Sequence, residues 1–354
     1  MVAKALAYFL ETPAAPLVAR DLDLPAPGAG EAVVEVLACG LCHTDLGFAD
    51  GSVRPNKALP LVLGHEAVGT VVATGEGVTL KPGSRVIVPA VLPCGACEFC
   101  RAGRGNACPT QKMPGNDIHG GFATHMLVPA GPLVALDDLA AGVDPRMLSV
   151  VADAVSTAYQ AVRRAGLAAG DAVFVVGAGG VGGFVVQIAR ALGARVAVCD
   201  VQPQRLELLA RHGAESTVNV KDRAPQEVRK ELHGLARGWG VPSLRWRIFE
   251  CSGATAGQQL AFGLLARGAT LLQVGFTPKP VEVRLSNLMA FDATAHGSWG
   301  CPPEAYPDVL RLIAGGKVVL EPFVEYGPMS RINEFLGALA QHRLERRMIL
   351  DPRT

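Results

Sequence analysis

The sequence predicts an α/β protein of two domains: a doubly wound parallel sheet joined to a partly open β-barrel. Three observations carry that reading. The stretch Ala172–Asp200 reads strand, glycine-rich turn, helix, strand. Before about Ser149 the chain shows short strands and tight turns without long helical periodicity. At 354 residues it is long enough for two separate cores.

The parallel sheet is nucleated by Ala172–Val176, an unbroken apolar run with the length and β-branching of a strand buried on both faces. Gly177, Gly179 and Gly182 follow as G-x-G-x-x-G, a helical stretch runs from Val185 to Leu192, and a second apolar run, Arg195–Cys199, ends in Asp200. This is a Rossmann dinucleotide signature. Gly177 permits the tight turn, Gly179 lets the backbone approach a pyrophosphate, and Gly182 lets helix and strand pack closely. The helix start offers free N–H groups to the phosphates, assisted by the helix dipole, and Gly180, Val181 and Gly182 in the turn are candidate cofactor contacts. Asp200 stands where a carboxylate accepts the ribose hydroxyls and repels a 2′-phosphate, which points to NAD rather than NADP. Arg205, shortly after it, is a further candidate cofactor contact.

In chain order, MVAKALAYFL reads as a first strand rather than a signal peptide, since no small-residue cleavage site follows. Glu31–Ala38, Ala67–Ala73 and Arg85–Val88 are further strands, separated by turns such as Pro27-Gly28 and Lys81-Pro82-Gly83. Val151–Ala165 reads as a helix, RLELLARHGA (205–214) as a crossover helix, Arg247–Glu250 and Thr270–Val274 as sheet strands, and Ala256–Leu265 as the helix joining them. Tyr306–Ala314 is a helix and Arg347–Leu350 a closing strand. The segment after the nucleotide domain is too short for a third domain. The expected division is therefore 1–153 with 298–354 in one domain and 154–297 in the other.

The formal charge of +1 gives no electrostatic footprint for nucleic acid or an acidic membrane. No run of about 18 apolar residues is present to span a bilayer. Nine cysteines in a leaderless chain point to metal ligands and buried thiols in a reducing cytoplasm.

Cys94, Cys97, Cys100 and Cys108 form C-x2-C-x2-C-x7-C among Gly95, Gly103 and Gly105. Four closely spaced thiolates can wrap one ion tetrahedrally, and with every position a cysteine no site is left for water, which indicates structural zinc. An iron–sulfur cluster also takes four cysteines, and a zinc ribbon can bind nucleic acid. The neutral charge and the nucleotide fold count against the ribbon.

A second constellation is scattered: Cys42-His43-Thr44-Asp45, then His65-Glu66, then Asp153. With GLCHTD, GHE, the cysteine quartet, GGFATH (120–125) and GAGGVG in this order, the chain resembles the zinc-dependent medium-chain alcohol dehydrogenases nearly end to end. The resemblance implies that the barrel is GroES-like and that Cys42, His65 and Asp153 hold a catalytic zinc, giving two zinc ions per subunit. Asp153 departs from the Cys or Glu more usual there, and helix capping is its other reading. Glu66 becomes a transient zinc ligand, and Asp45 orients His65 through its second ring nitrogen. Zinc would acidify the substrate hydroxyl, Thr44 would relay its proton, and hydride would pass to the nicotinamide. Gly47 stands where relatives often carry a relay histidine. His43 and Arg347 match residues that face the cofactor pyrophosphate, although Arg347 in the basic run RLERR also reads as a solvated face. A homodimer or homotetramer is implied, with a small-molecule substrate.

Within that family, the stretch MPGNDIHGGFATH (113–125) and the opening FLETPAAPL (9–17) resemble the 6-hydroxycyclohex-1-ene-1-carbonyl-CoA dehydrogenases of anaerobic benzoyl-CoA degradation. Ala90 stands where many relatives place a large aromatic beside the zinc, leaving room for a six-membered ring. Arg54, Lys57, Arg101 and Arg104 are candidates for the CoA phosphates. Primary or aromatic alcohols are the alternative substrates.

Overall fold

The computed structural model describes residues 3–136 and 142–354. Met1 and Val2 of the expected first strand lie outside the described residues. The chain divides into two compact units, Met1–Ser156 with Gly300–Ala314 and Phe323–Thr354, and Thr157–Trp299 with Gly315–Pro322.

The first unit opens with β1 (Ala3–Leu10) and β2 (Val18–Leu24), an antiparallel pair in register Ala5↔Leu22. β3 (Glu31–Gly40) then leads through a short helix, α1 (His43–Ala49), to β4 (Leu61–Val62), which pairs with the other side of β1. β5 (Glu66–Thr74) runs back along β3, and β6 (Arg85–Val88) along β5. The β3–β5 register slips twice, between Val33 and Val34 and between Val36 and Ala38. Such bulges bend and twist a sheet, which lets it curl toward a barrel. A four-residue helix, α2 (Glu98–Arg101), precedes β7 (His125–Pro129) and β8 (Val134–Ala135). Inward residues of these strands, among them Val34, Val36, Val71 and Met126, form one core with Phe122. Each such side chain contributes about 1.5–3 kcal/mol on leaving water.

The expected helix over Val151–Ala165 is two elements. A 3-10 helix covers Pro145–Ala152, α3 covers Ala154–Arg164, and Asp153 interrupts them with φ −138° and ψ −69°. The second unit is a parallel sheet of β9 (Ala172–Val176), β10 (Arg195–Asp200), β11 (Ser216–Asn219), β12 (Trp246–Glu250), β13 (Thr270–Gln273) and β14 (Thr294–Gly297), ordered β11-β10-β9-β12-β13-β14. Its order reverses between β9 and β12, the switch point at which dinucleotides bind in doubly wound sheets. Between the strands run α4 (Gly180–Ala191), α5 (Pro203–Arg211), α6 (Pro225–Gly238), α7 (Thr255–Gly263) and α8 (Ser286–Phe291). α4 starts at Gly180, ahead of the expected Val185, because burial of Phe184, Val185 and Ile188 outweighs the poor helix propensity of three glycines.

The chain then returns through α9 (Tyr306–Ala314), β15 (Val324–Pro328), α10 (Ile332–Ala340) and β16 (Arg347–Asp351). β16 pairs antiparallel with β3 through Ile349↔Gly40 and Leu350↔Cys39, completing the order β15-β16-β3-β5-β6-β8, with β7 also on β3. Residues 315–322 group with the second unit, so not all of 298–354 returns to the first as expected. The Gln187 amide ties that segment to α4, donating to Val319 O (3.2 Å) and accepting from its N–H (2.8 Å).

Candidate metal centre

α1 begins at Cys42, whose N–H donates to Asp45 Oδ2 (2.9 Å) across the first helical turn. The other Asp45 oxygen accepts from the Gly64 N–H (3.0 Å) and lies 3.2 Å from His65 Nδ1. One buried carboxylate thus fixes two chain segments and orients the imidazole between them. The break before α3 turns Asp153 the same way. Its Oδ2 stands 3.8 Å from Cys42 Sγ and 3.6 Å from His65 Nε2. The donor atoms of Cys42, His65, Glu66 and Asp153 all lie within 4.8 Å of one another. Zinc bonds of about 2.0–2.3 Å in a tetrahedron set ligand separations of about 3.3–3.8 Å, so the three expected ligands fit one ion. Thr44 Oγ1 is 3.7 Å from Cys42 Sγ.

Glu66 has no exposed surface, and its Oε2 is buried without a partner. Burial, opposed by Arg347 and reinforced by Asp153, pushes its carboxyl up to about 7. Burial works against a proton on His65, yet Asp45, the Cys42 thiolate and Asp153 together raise its affinity for one well above the imidazole range. That concentration of negative charge is what a divalent cation would neutralise.

Arg347 is not a solvated member of RLERR. Its side chain is 8% exposed, its guanidinium is engaged by Glu66, and it lies 3.9 Å from Asp153 Oδ2. β16 carries it there by pairing with β3 directly before α1. His43, by contrast, is exposed, with its ring stacked 6.3 Å from that of His342.

Tyr306 and Gly40 have parts in the site that the sequence did not signal. The buried Tyr306 hydroxyl donates to Ala152 O (2.6 Å) and accepts from Ser156 Oγ (3.2 Å), and Ser156 also donates to Asp153 O (3.2 Å). Ala90 N–H donates to the same Ala152 carbonyl (3.0 Å), so the backbone leading into Asp153 is held from both sides. A Cβ on Gly40 would come within 2.2 Å of Glu66 Oε2, so only glycine leaves that carboxylate its place. Tyrosine and glycine of this kind carry no motif. At Gly47 a Cβ would meet Val53 Cγ2 at 3.2 Å, which leaves little room for the relay histidine of relatives.

The quartet forms a second cluster. Sγ–Sγ separations are 3.5 Å (Cys97–Cys100), 3.6 Å (Cys94–Cys108), 3.7 Å (Cys97–Cys108) and 3.9 Å (Cys94–Cys100). A zinc–sulfur bond of about 2.3 Å gives a tetrahedral edge of about 3.8 Å. An iron–sulfur cluster, whether it places one or two of the sulfurs on each iron, sets sulfurs on different irons farther apart than this. The Ala96 N–H, the Thr110 hydroxyl and the Cys97 N–H lower the Cys94 thiol to about 6, favouring the thiolate that binds metal.

In the second unit Gly177 sits at φ +98°, and a Cβ there would be 2.6 Å from Ser252 N. A Cβ on Gly182 would be 1.9 Å from Gly177 O, whereas one on Gly179 would meet only Arg205 Nη1, at 3.7 Å. The middle glycine therefore faces open space, as a backbone approached by a pyrophosphate must. Gly180, Val181 and Gly182 form the first turn of α4, whose N–H groups have no intrahelical acceptor. Asp200 accepts from Ala178 N–H (2.7 Å) and Gln202 N–H (2.9 Å), holding the glycine turn while keeping lone pairs for a ribose.

Comparison with known proteins agrees with this geometry. Residues 28–138 match the alcohol dehydrogenase GroES-like domain, and residues 180–315 the zinc-binding dehydrogenase domain. An alcohol dehydrogenase of Moraxella sp. (strain TAE123) is 32% identical over 94% of this chain and 95% of its own. The L-galactonate-5-dehydrogenase of Escherichia coli (strain K12) is 31% identical over 86% of both. The crystal structure of the alcohol dehydrogenase from Aeropyrum pernix superposes with a TM-score of 0.87 at 29% identity, covering 99% of this chain and 100% of that one.

Proposed function

Because the chain belongs to the zinc-dependent medium-chain alcohol dehydrogenases, we propose that it oxidises a secondary alcohol on a six-membered ring, with NAD as hydride acceptor. The observation that carries the reading is the convergence of one thiolate, one imidazole and one carboxylate, from Cys42, His65 and Asp153, within reach of a single ion. When bound, zinc supplies a Lewis acid that acidifies an alcohol hydroxyl, and the nicotinamide supplies the hydride acceptor. Three protein ligands keep one position open for substrate. Asp45 stands 3.2 Å from His65 Nδ1, which would leave Nε2 to hold a metal. Thr44 would relay the substrate proton, accepting it on Oγ1 while its own hydroxyl proton passes on to water. Arg347 holds Glu66 beside the ligands as a reserve carboxylate. The quartet of Cys94, Cys97, Cys100 and Cys108 holds the structural zinc.

The specific substrate we assign is the ring hydroxyl of 6-hydroxycyclohex-1-ene-1-carbonyl-CoA. Its support is the likeness of residues 113–125 together with the small side chain of Ala90, which follows β6 and whose N–H braces the Asp153 segment. Primary or aromatic alcohols are the second reading, favoured by the relatives that bear the name alcohol dehydrogenase. NADH formation from the hydroxy-enoyl-CoA and from benzyl alcohol separates the two. A kcat/KM at least about tenfold higher for the thioester, near 1.4 kcal/mol, supports the assignment. Equal or reversed preference replaces it with the second reading.

The assignment of NAD rests on Asp200. Replacing it with Ala removes both the ribose acceptor and the charge facing a 2′-phosphate, so the NADP/NAD ratio of kcat/KM rises by roughly ten- to a hundredfold. An unchanged ratio removes Asp200 from cofactor selection. Homo-oligomerisation is expected through the second unit, where edge strand β14 pairs on one side only and Phe276, Leu285 and Met289 are exposed.

A further inference from the structure

At the amino ends of β12 and β13 the second unit carries a cavity of about 420 Å³. These strands are parallel to β9 and β10, whose carboxyl ends carry the glycine turn and Asp200, so the cavity lies at the edge of the sheet away from the dinucleotide cradle. Of its apolar lining residues, Phe291 is partly exposed, while Trp246 and Leu265 are nearly buried, at 4% and 1%. The Trp246 indole N–H donates to Val241 O (3.0 Å).

The rim is cationic. Arg229 and Arg237 stand two turns apart on α6, on one face with His233 between them, and Arg267 approaches from the turn before β13. Several arginines of this unit are neutralised: Arg195 by Glu215, Arg223 by Glu231, Arg245 by Asp171. Among the described residues Arg229, Arg237 and Arg267 pair with no carboxylate. His233 Nε2 donates to Leu264 O (3.1 Å), and the ring packs edge-on to Trp246 at 4.7 Å, so Nδ1 is left as an acceptor. Burial, with Arg229 and Arg237 nearby, keeps this imidazole below its ordinary value and therefore neutral. Three uncompensated guanidiniums beside apolar lining residues match a ligand with more than one negative charge and an apolar body. Guanidinium forks suit phosphate oxygens in particular. The volume fits a ligand of benzene-phosphate size.

We propose that this cavity is a second, non-catalytic binding site of the enzyme, for a compact phosphate ester with an apolar aryl or acyl body. The test uses the zinc-loaded enzyme saturated with NAD, so that the dinucleotide cradle is filled. Phenyl phosphate, inorganic phosphate and phenol are titrated calorimetrically into wild type, Arg229→Gln and the double variant Arg237→Gln/Arg267→Gln. Expected are saturable one-to-one binding of phenyl phosphate, at least about tenfold tighter than either fragment, and loss of at least about tenfold in affinity in the double variant. A smaller loss is expected in Arg229→Gln, and turnover of a simple alcohol stays unchanged in all three. Undiminished binding in the double variant overturns the proposal. So does inorganic phosphate binding as tightly as phenyl phosphate, which marks a surface anion patch only. A change in solution mass of the variants by light scattering also overturns it, because the cavity would then hold a side chain of a second copy.

Discussion

Only one oxygen of the buried Glu66 carboxylate is engaged, by the Arg347 guanidinium, the other is buried without a partner, and the group lies among the ligand atoms of Cys42, His65 and Asp153. A buried acceptor left bare costs about 1–3 kcal/mol, a cost that a bound cation would remove. His119 shows the opposite case, a titratable side chain fixed for structure. Its Nδ1 accepts from Val62 N–H (3.2 Å), and its ring meets Phe9 edge-on at 5.7 Å. Burial first, then Lys57 and Arg20, pull its pKa from 6.5 to about 4. The folded value lies below the unfolded one, so the stabilisation is complete above 6.5 and is lost as pH falls toward 4. The unfolding free energy of the wild type should fall across that window by up to about 1.4 kcal/mol per pH unit, read as a falling Tm, and His119→Gln should flatten the fall. Equal slopes in the two proteins would exclude His119 as its source. At this scale the sequence announced the ligands because GLCHTD, GHE and the quartet carry fixed spacings. Gly40 and Tyr306 were silent, and Arg347 was singled out without its contact to Glu66. Arg347 reaches Glu66 across 281 positions of the chain, and only strand pairing reveals that contact.

The element that decides the site's geometry is the break at Asp153. Ala152 O accepts from Ala90 N–H and from the Tyr306 hydroxyl, which stops the 3-10 helix and lets α3 start afresh. Tyr306→Phe removes one donor from a buried carbonyl, so a destabilisation of about 1–2 kcal/mol is expected, together with a lower kcat as Asp153 loosens. Denaturant midpoints and steady-state rates check this, and a variant matching wild type in both would show that Tyr306 merely fills space. The uniform apolar period over 151–165 concealed the break, because the interruption comes from tertiary hydrogen bonds. Strands β9, β10 and β12 were readable because burial on both faces makes them continuously apolar. β14 was not, since the edge strand TAHG is largely exposed and has no apolar run. α6 was missed as well, its buried stripe of Val228, Leu232 and Ala236 being narrow amid charged residues.

Across the whole molecule, the chain leaves the first unit after Ser156 and returns at Gly300 to supply β16, the strand on which Arg347 sits. The barrel's short strands and turns, and the late closing strand, were legible as a class of fold. The grouping of residues 315–322 with the second unit was not, because it depends on the side chain of Gln187. No helix among the described residues is long and apolar enough to cross a membrane. Two clusters of metal-binding side chains remain the property on which the proposed chemistry stands, one closed by four sulfurs and one of mixed donors. Zinc content per chain, measured by mass spectrometry on purified wild type and Cys42→Ala, tests this most directly. The account predicts about two zinc ions in wild type and about one in Cys42→Ala, with alcohol oxidation lost by at least roughly a thousandfold. A single zinc in both proteins, or oxidation surviving the substitution, would contradict it.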